Sequence, residues 1–366
     1  MRKLNGYVLP LTLMIIFASV GLLTTVMRRA FIFQDKVRYA FNREKARTLA
    51  LAGIQVGMSQ LSVVKPKENK KKENAQNTEQ KTDKKEEKLT PEQEWLLQLM
   101  LVVNKWQTFN LTEKSDGIDA RLDIYISCEQ GKININSLLL EPSQTDKKQE
   151  SAQAGQQDQS KAEPGKRKNF AESLQEKLVQ EVGLSILEIL KSKQKKLGRQ
   201  LEDPTEILTE EAARKFVDRV FRTPEQAGEK ADKFYLMDLF TVDTRSEKLN
   251  PWLLSASVCA LLGLQVPQRL ITEGKDKAIR EAVKKLRPFI GWKKEWDVTM
   301  EPLYGKPFSA IPQGIDVLFA PEFEATVFSV ISYVRVGNIS QKVCGIIEKI
   351  NDEHNTIFKL KKLYWM

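Results

Sequence analysis

The sequence predicts an α+β chain: a long amino-terminal helix (transmembrane plus amphipathic) packed on a small antiparallel sheet, with a large inserted all-α subdomain. Residues 7–64 begin with a charge-free run and continue as an amphipathic helical pattern, and no proline follows that run before Pro66. Strand patterns occur at 118–128 and again after Phe323, whereas residues 169–300 keep helical spacing. These three observations carry the prediction of fold class.

The composition argues against several kinds of active site. The 366 residues carry 58 Lys plus Arg against 48 Asp plus Glu, a net charge of +10. Because the excess is spread along Lys-rich tracts, it indicates solvated charge rather than one basic face for nucleic acid. The single histidine, His354, argues against a His-based triad or a multi-His metal site. No glycine-rich phosphate-binding motif opens a helix, so we expect no enzyme, no cofactor and no small-molecule substrate.

The charge-free run has the length of a membrane span. Residues 7–27 are preceded by Arg2 and Lys3 and followed by Arg28 and Arg29. About 20 apolar residues suffice to cross ~30 Å of hydrocarbon as a helix. The direct continuation into an amphipathic stretch favours a retained anchor over a cleavable secretory signal peptide. An ordinary uncleaved signal anchor is the alternative interpretation.

Pro10 indicates where this helix begins. Inside a membrane helix, proline leaves one carbonyl without its amide partner. If the chain is cleaved after Gly6, Tyr7 becomes the first residue and Pro10 falls in the first turn, where amide hydrogens have no intrahelical acceptor. The position of Pro10 therefore favours a helix that starts at Tyr7.

A second helix is predicted after residue 89. Thr90 and Gln93 have the spacing of a capping box, and Pro91 occupies the first helical position. The apolar face of this helix is predicted to consist of Leu96, Leu99, Val103 and Trp106.

Two short polar elements follow predicted apolar segments. Residues 129–131 are predicted to turn the chain of the first strand into a Lys-Ile-Asn-Ile-Asn run at 132–136, forming a hairpin. A related Lys-Leu-Asn-Pro-Trp run at 248–252 leads into a helix predicted at 254–264. The glycine is expected to supply a permissive backbone, and the asparagines to cap or anchor turns. The residues of interest are Gly131, Lys132, Asn134, Asn136 and Asn250.

Together these features resemble a known family. A short basic leader ending in Gly6, a charge-free segment and an amphipathic continuation are similar to the amino terminus of type IV pilin-like proteins. Most members carry glutamate at mature position five, which is Leu11 here, and the K-type minor pseudopilin of type II secretion characteristically lacks that glutamate. Residues 42–53 resemble its Ala-rich second half-helix. The run at 131–136 resembles its Gly-Lys-Ile-Asn-Leu-Asn signature, and the run at 248–254 a degraded second signature.

The resemblance implies a processing site and a role. Prepilin peptidase would cleave after Gly6 and methylate Tyr7. The body would lie in the periplasm on a single inner-membrane helix, with I-type and J-type minor pseudopilins as partners. The chain would be a tip subunit or assembly initiator of the type II secretion pseudopilus, contributing to protein export. Two alternatives stay open: a signal-anchored periplasmic protein that binds the cell envelope or nucleic acid, and a minor pilin of a related competence or pilus machine.

The predicted domains follow the chain. Both polar tracts between the folded parts are nearly free of apolar residues and are therefore predicted to be disordered. The carboxyl-terminal strands are expected to form a three-stranded meander whose first turn is Gly337-Asn338. The divisions are a leader at 1–6, a transmembrane and stalk helix at 7–64, a charged loop at 65–88, the first part of a pilin-like head at 89–140, a polar insert at 141–168, a helical subdomain at 169–300 and the last strands of the head at 301–366.

No metal site is predicted. Some K-type pseudopilins bind calcium, and the candidate ligands here are Asp116, Asp119 and Asp123. These residues do not form a recognisable calcium loop, and the last two belong to a predicted strand.

The three cysteines are too widely spaced for a zinc or redox motif. In an exported body, one pair among Cys128, Cys259 and Cys344 could form a disulfide, and the sequence does not say which pair.

Overall fold

A computed structural model describes the protein at residues 8–63, 89–136, 196, 199–202, 206, 221, 224, 235–244, 249–266, 276–285, 297, 300–310, 319, 325–351 and 356–365. The helices of these parts are α1 (Val8–Val63), α2 (Pro91–Val102), α3 (Glu113–Asp116), α4 (Leu236–Leu239), α5 (Ala256–Leu261) and α6 (Asp276–Lys285). The strands are β1 (Trp106–Leu111), β2 (Ala120–Cys128), β3 (Ile133–Asn134), β4 (Phe240–Thr241), β5 (Val327–Val336), β6 (Ile339–Asn351) and β7 (Thr356–Trp365).

Helix α1 consists of two parts with different surroundings. It is continuous over 56 residues, a length of ~84 Å at ~1.5 Å per residue. Residues 9–41 are exposed on all sides. The second part packs against β2, β5 and β6 and buries one helical face, formed by Ala46, Ala50, Ile54 and Leu61. The helix is therefore both a projecting rod and part of the core.

Glycines bring α1 into close contact with the sheet. A Cβ added at Gly53 would overlap the Ser332 hydroxyl, and one at Gly57 would lie 2.6 Å from Val330 Cγ1. Because both side chains lie on β5, the helix backbone is seated directly on that strand. A third glycine, Gly345 in β6, faces Ile54 across the same interface.

The main sheet is antiparallel and has the strand order β1-β2-β5-β6-β7. The predicted three-stranded meander is confirmed as β5-β6-β7. Gly337, with φ of 56°, begins the two-residue turn between β5 and β6, where a positive φ favours glycine. The α+β class predicted from the sequence is confirmed: a long helix packs on an antiparallel sheet.

Strand β2 is more buried than its sequence predicts. Alternation of polar and apolar residues predicts one wet face, but both faces are buried from Leu122 to Cys128. The prediction was wrong because β2 lies inside the sheet. The second face of this sheet carries its own apolar cluster, which includes Tyr125, Ile331 and Cys344. Polar residues on that face find partners instead of solvent.

Helix α2 begins as predicted and ends earlier. Thr90 accepts from Gln93 N at 3.2 Å, and Gln93 Oε1 accepts from Thr90 N at 2.9 Å, which confirms the capping box. Trp106 was predicted on this helix but begins β1. The helix ends because Asn104 adopts a left-handed conformation, with φ of 58°, that asparagine tolerates better than most residues.

The predicted hairpin at residues 129–136 does not form. After a 3-10 turn at Glu129–Gly131, β3 pairs in parallel with β4 in a separate two-stranded sheet. The chain cannot return along β2, because β2 is already paired on both sides by β1 and β5. The described residues of 169–300 accordingly contain a strand, β4, beside helices α4, α5 and α6.

Candidate functional site

The predicted processing site lies at the edge of the described residues. Gly6 and Tyr7 are outside them, so cleavage and methylation stay predictions. Helix α1 begins at Val8, which places Pro10 in its first turn. Leu11 is 61% exposed there. By length and composition α1 can cross a membrane, with a mean hydropathy of 2.1 in its most apolar window.

The two asparagine elements, far apart in sequence, are adjacent in space. Asn250 N donates to the Gln130 carbonyl at 2.7 Å, and Ser255 N donates to the Gly131 carbonyl at 3.1 Å. The turn after β2 and the segment before α5 therefore lie side by side. We call residues 129–136 together with 249–255 the junction, because they join the main sheet to the segment that leads into α5.

Gly131 is required by space in this junction. A Cβ at this position would overlap the carbonyl oxygen of Leu253, a backbone atom. The sequence predicted a permissive backbone here, but φ of Gly131 is not positive. The backbone-to-backbone approach of the two elements explains the glycine instead.

The three asparagine side chains bind backbone groups. Asn134 Nδ2 donates to the Thr244 carbonyl at 3.1 Å. The Asn136 side chain makes two hydrogen bonds with the Leu201 backbone: Oδ1 accepts from N at 3.0 Å, and Nδ2 donates to the carbonyl at 2.9 Å. Asn250 Oδ1 accepts from Trp252 N at 3.0 Å. Each amide thereby satisfies main-chain groups at a point where the chain changes direction.

Lys132 forms a buried ion pair in the same place. Its Nζ donates to Glu129 Oε1 and, at 2.8 Å, to Ser329 Oγ on β5. Burial alone would lower the pKa of Lys132, but the adjacent Glu129 carboxylate reverses this, and the pKa is raised. Both side chains are 3% exposed, so the charges are held against each other away from water.

The lysine–serine contact does not form an accessible catalytic pair. Ser329 and Lys132 are 2% and 4% exposed, and the Ser329 hydroxyl also bonds to Ser127 at 2.7 Å. Within the described residues, both side chains are covered from solvent. The group holds β2, β5 and the turn together.

Asp238, beside the junction, is a residue that sequence reasoning missed. Its carboxylate accepts from Tyr125 OH on β2 at 3.2 Å and from Ser257 N on α5 at 2.8 Å. Its carbonyl accepts from the Ser255 hydroxyl, which also caps α5 by accepting from Val258 N at 3.2 Å. The available signal was a single carboxylate inside the apolar run 236–240.

A second ion pair joins the junction's surroundings to the edge strand β7. Lys362 Nζ lies 2.7 Å from Asp243 Oδ1 and donates to the Glu202 carbonyl at 2.6 Å. Burial raises the pKa of Asp243 while Lys362 opposes the shift. These contacts fix the carboxyl-terminal strand β7 to Glu202, which precedes α4 in sequence, and to Asp243, which follows it.

The candidate calcium ligands are engaged elsewhere. Asp116 accepts from Thr112 N at 2.8 Å and from the Ser115 hydroxyl, bonds that lower the pKa of its carboxyl. Asp119 Oδ1 accepts from Glu113 N at 2.8 Å, whereas Asp123 is buried and pairs with Arg121. Among the described residues, no group of three or more metal-ligating side chains is assembled.

The cysteines are buried thiols. Cys128 lies on β2, Cys259 on α5 and Cys344 on β6. Burial raises the pKa of Cys128 to about 12 and also raises that of Cys259. The thiols of Cys128 and Cys259 are therefore held protonated and inert at neutral pH.

Comparison with known proteins gives a likeness in structure alone. No family model matches the sequence, and no curated protein matches it. The fold is similar to that of a chain in the crystal structure of the GspK-GspI-GspJ complex from the type 2 secretion system of enterotoxigenic Escherichia coli. The TM-score is 0.41 and the sequence identity 12%, over 90% of this chain and 99% of that chain.

Proposed function

We propose that this chain is a membrane-anchored, non-enzymatic minor pseudopilin of the K type. The observation that carries the proposal is the division of α1 into an exposed rod and a part buried against the sheet. A filament subunit needs this arrangement, because its head must be fixed to a helix that packs elsewhere. The same architecture accounts for the glycines that seat α1 on β5.

Leu11 supports a position at the tip of the filament. A glutamate at this depth in a membrane is costly unless it is paired with a charge on a neighbouring subunit. A topmost subunit has no neighbour above it to supply that charge. The apolar side chain at residue 11 suits a chain that starts assembly of the pseudopilus and so contributes to protein export.

The junction supports the same role from the side of the head. It fixes the inserted subdomain to the sheet through backbone hydrogen bonds at Asn250 and Ser255, and the ion pair of Lys362 with Asp243 adds a second attachment. An inserted subdomain held at these contacts would enlarge the head. Such a head would obstruct addition of another subunit above it.

The proposal includes processing, location and partners. Prepilin peptidase would cleave after Gly6 and methylate Tyr7. The helix would hold the chain in the inner membrane with its body in the periplasm. The partners would be the I-type and J-type minor pseudopilins of the same secretion machine.

Co-purification tests the proposal. The full chain would be co-expressed with the I-type and J-type pseudopilins of its own genome and extracted in mild detergent. We expect a complex of all three on size exclusion, and none when an unrelated signal-anchored periplasmic protein replaces this chain. Elution of the chain apart from both partners would favour the alternative of a signal-anchored binding protein.

A further inference from the structure

Residues 28–43 of α1 lie between the charge-free run and the head. The side chains through Phe41 are exposed, Asn42 is the first that is partly covered, and Ala46 is the first that is buried. This segment, which we call the collar, therefore belongs to neither the apolar span nor the folded head. The proposed assembly role does not assign a partner to its charges.

The collar is strongly basic and amphipathic. It holds five basic residues and a single carboxylate, Asp35, and within the described chain none of the five is in an ion pair. Three of the basic residues recur every seventh position, which keeps them on one helical face. Three apolar residues recur every fourth position on a face turned from it by roughly 100°. The basic residues are Arg28, Arg29, Lys36, Arg38 and Arg43, and the apolar stripe is Phe33, Val37 and Phe41.

The position of the collar follows from the length of the span. The charge-free run ends at Met27, and a helix of that length fills ~30 Å of hydrocarbon. The headgroup layer adds ~6 Å on each side, which corresponds to about four residues at ~1.5 Å each. Arg28 and Arg29 therefore lie in the headgroup layer. Arg43 lies ~22 Å further along the axis, beyond two Debye lengths of ~8 Å.

We propose that the membrane-proximal end of the collar, at Arg28 and Arg29, binds anionic phospholipid headgroups of the bilayer in which α1 is anchored. The guanidinium groups of Arg28 and Arg29 donate charge-assisted hydrogen bonds to lipid phosphate. Phe31, 63% exposed, lies in the same ~6 Å layer as these arginines.

The distribution of charge across the span supports this partner. Basic residues that flank a membrane helix are usually concentrated on the cytoplasmic side. Here the side toward the head carries five, whereas the side toward the amino terminus carries Arg2 and Lys3. With the head proposed to lie in the periplasm, this rule does not account for Arg28 and Arg29, and lipid phosphate supplies their partner.

Lipid selectivity in a bilayer tests the inference. The full chain would be reconstituted in phosphatidylcholine with a trace of spin-labelled phosphatidylglycerol or spin-labelled phosphatidylcholine. Electron paramagnetic resonance then gives, for each labelled lipid, the fraction whose motion the protein restricts. We expect the anionic label to be preferred by at least about threefold, with the preference lost near 1 M salt, where the Debye length is ~3 Å.

Matched variants locate the effect. Arg28→Gln with Arg29→Gln should reduce the preference to the share that Arg2 and Lys3 supply at the other end of the span, whereas Arg43→Gln, further from the bilayer, should leave it unchanged. Equal restriction of the two labels by the unmodified chain would overturn the inference. So would an equal loss in the two variants, or a preference that persists near 1 M salt. None of these outcomes depends on whether the chain binds other pseudopilins.

Discussion

At residue 131 the chain permits only the smallest side chain, because the junction brings two backbones together there. We predict that Gly131→Ala destabilises the protein by about 3 kcal/mol, since neither the Leu253 carbonyl nor the Cβ has space to move. Thermal unfolding of the full chain in detergent measures the change. Gly21→Ala is the matched control, because nothing lies within 4 Å of its Cβ position, and it should leave the unfolding temperature unchanged.

Lys132 is the second residue at which a single change has a large predicted effect. Lys132→Met removes the partner of a buried carboxylate, so we expect a loss of about 3–5 kcal/mol. Adding Glu129→Gln to that variant removes the unpaired charge and should restore part of the loss. Chemical denaturation of the two single variants and the double variant gives the coupling. Additive losses, with no recovery in the double variant, would show that the pair is not coupled as described.

The sequence identified one side of each junction contact. Asn134, Asn136 and Asn250 were singled out because their runs resemble the family's two signatures, and they were expected to cap or anchor turns. Their acceptors and donors were not predictable. Leu201 and Thr244 are at least 65 residues away from the asparagines they bind, and only the fold brings them close.

At the scale of elements, the packing of α1 on β5 contains one polar group that lacks a partner. Ser332 is 0% exposed, and its hydroxyl makes no hydrogen bond in the described structure. We predict that Ser332→Ala stabilises the protein by about 1 kcal/mol, because it removes a buried hydroxyl that is unsatisfied. Denaturant unfolding measures the change in the free energy of unfolding. Ser340→Ala is the control, because Ser340 is exposed on β6 and its replacement should have no effect. Destabilisation by Ser332→Ala would show that the hydroxyl is satisfied.

Elements with their own local signals were predictable, and those that depend on neighbours were not. The capping box at Thr90 and the turn at Gly337 specify their geometry within a few residues. In contrast, the second buried face of β2 depends on strands that lie about 200 residues later. The pairing of β3 with β4 was missed for the same reason, since it depends on which sheet edges are already occupied.

At the scale of the whole molecule, several buried groups make the fold sensitive to alkali. Burial raises the pKa of Cys128 to about 12 from its usual 9.0, and it raises the pKa of Tyr304 well above 10.0. Each group keeps its proton when folded at a pH at which the unfolded chain has released it. Stability therefore falls as pH rises above about 9, by up to ~1.4 kcal/mol per pH unit for each group.

A pH series of denaturant unfolding checks this prediction. Between pH 7 and about 9 the free energy of unfolding should change little through these groups, and above that range it should fall. Cys128→Ala should make the alkaline fall in the free energy of unfolding shallower. The free energy of each protein is compared with its own value at neutral pH. An alkaline slope that is identical in the variant would contradict the assignment of Cys128.

The central claim, that this chain is a processed filament subunit, is tested most directly by the mass of its mature form. The full chain would be produced in cells with an active prepilin peptidase and in matched cells that lack it, and each product analysed by intact-mass spectrometry. The account predicts a chain that begins with methylated Tyr7 in the first cells and retains Met1 to Gly6 in the second. Retention of residues 1–6 in both would contradict it.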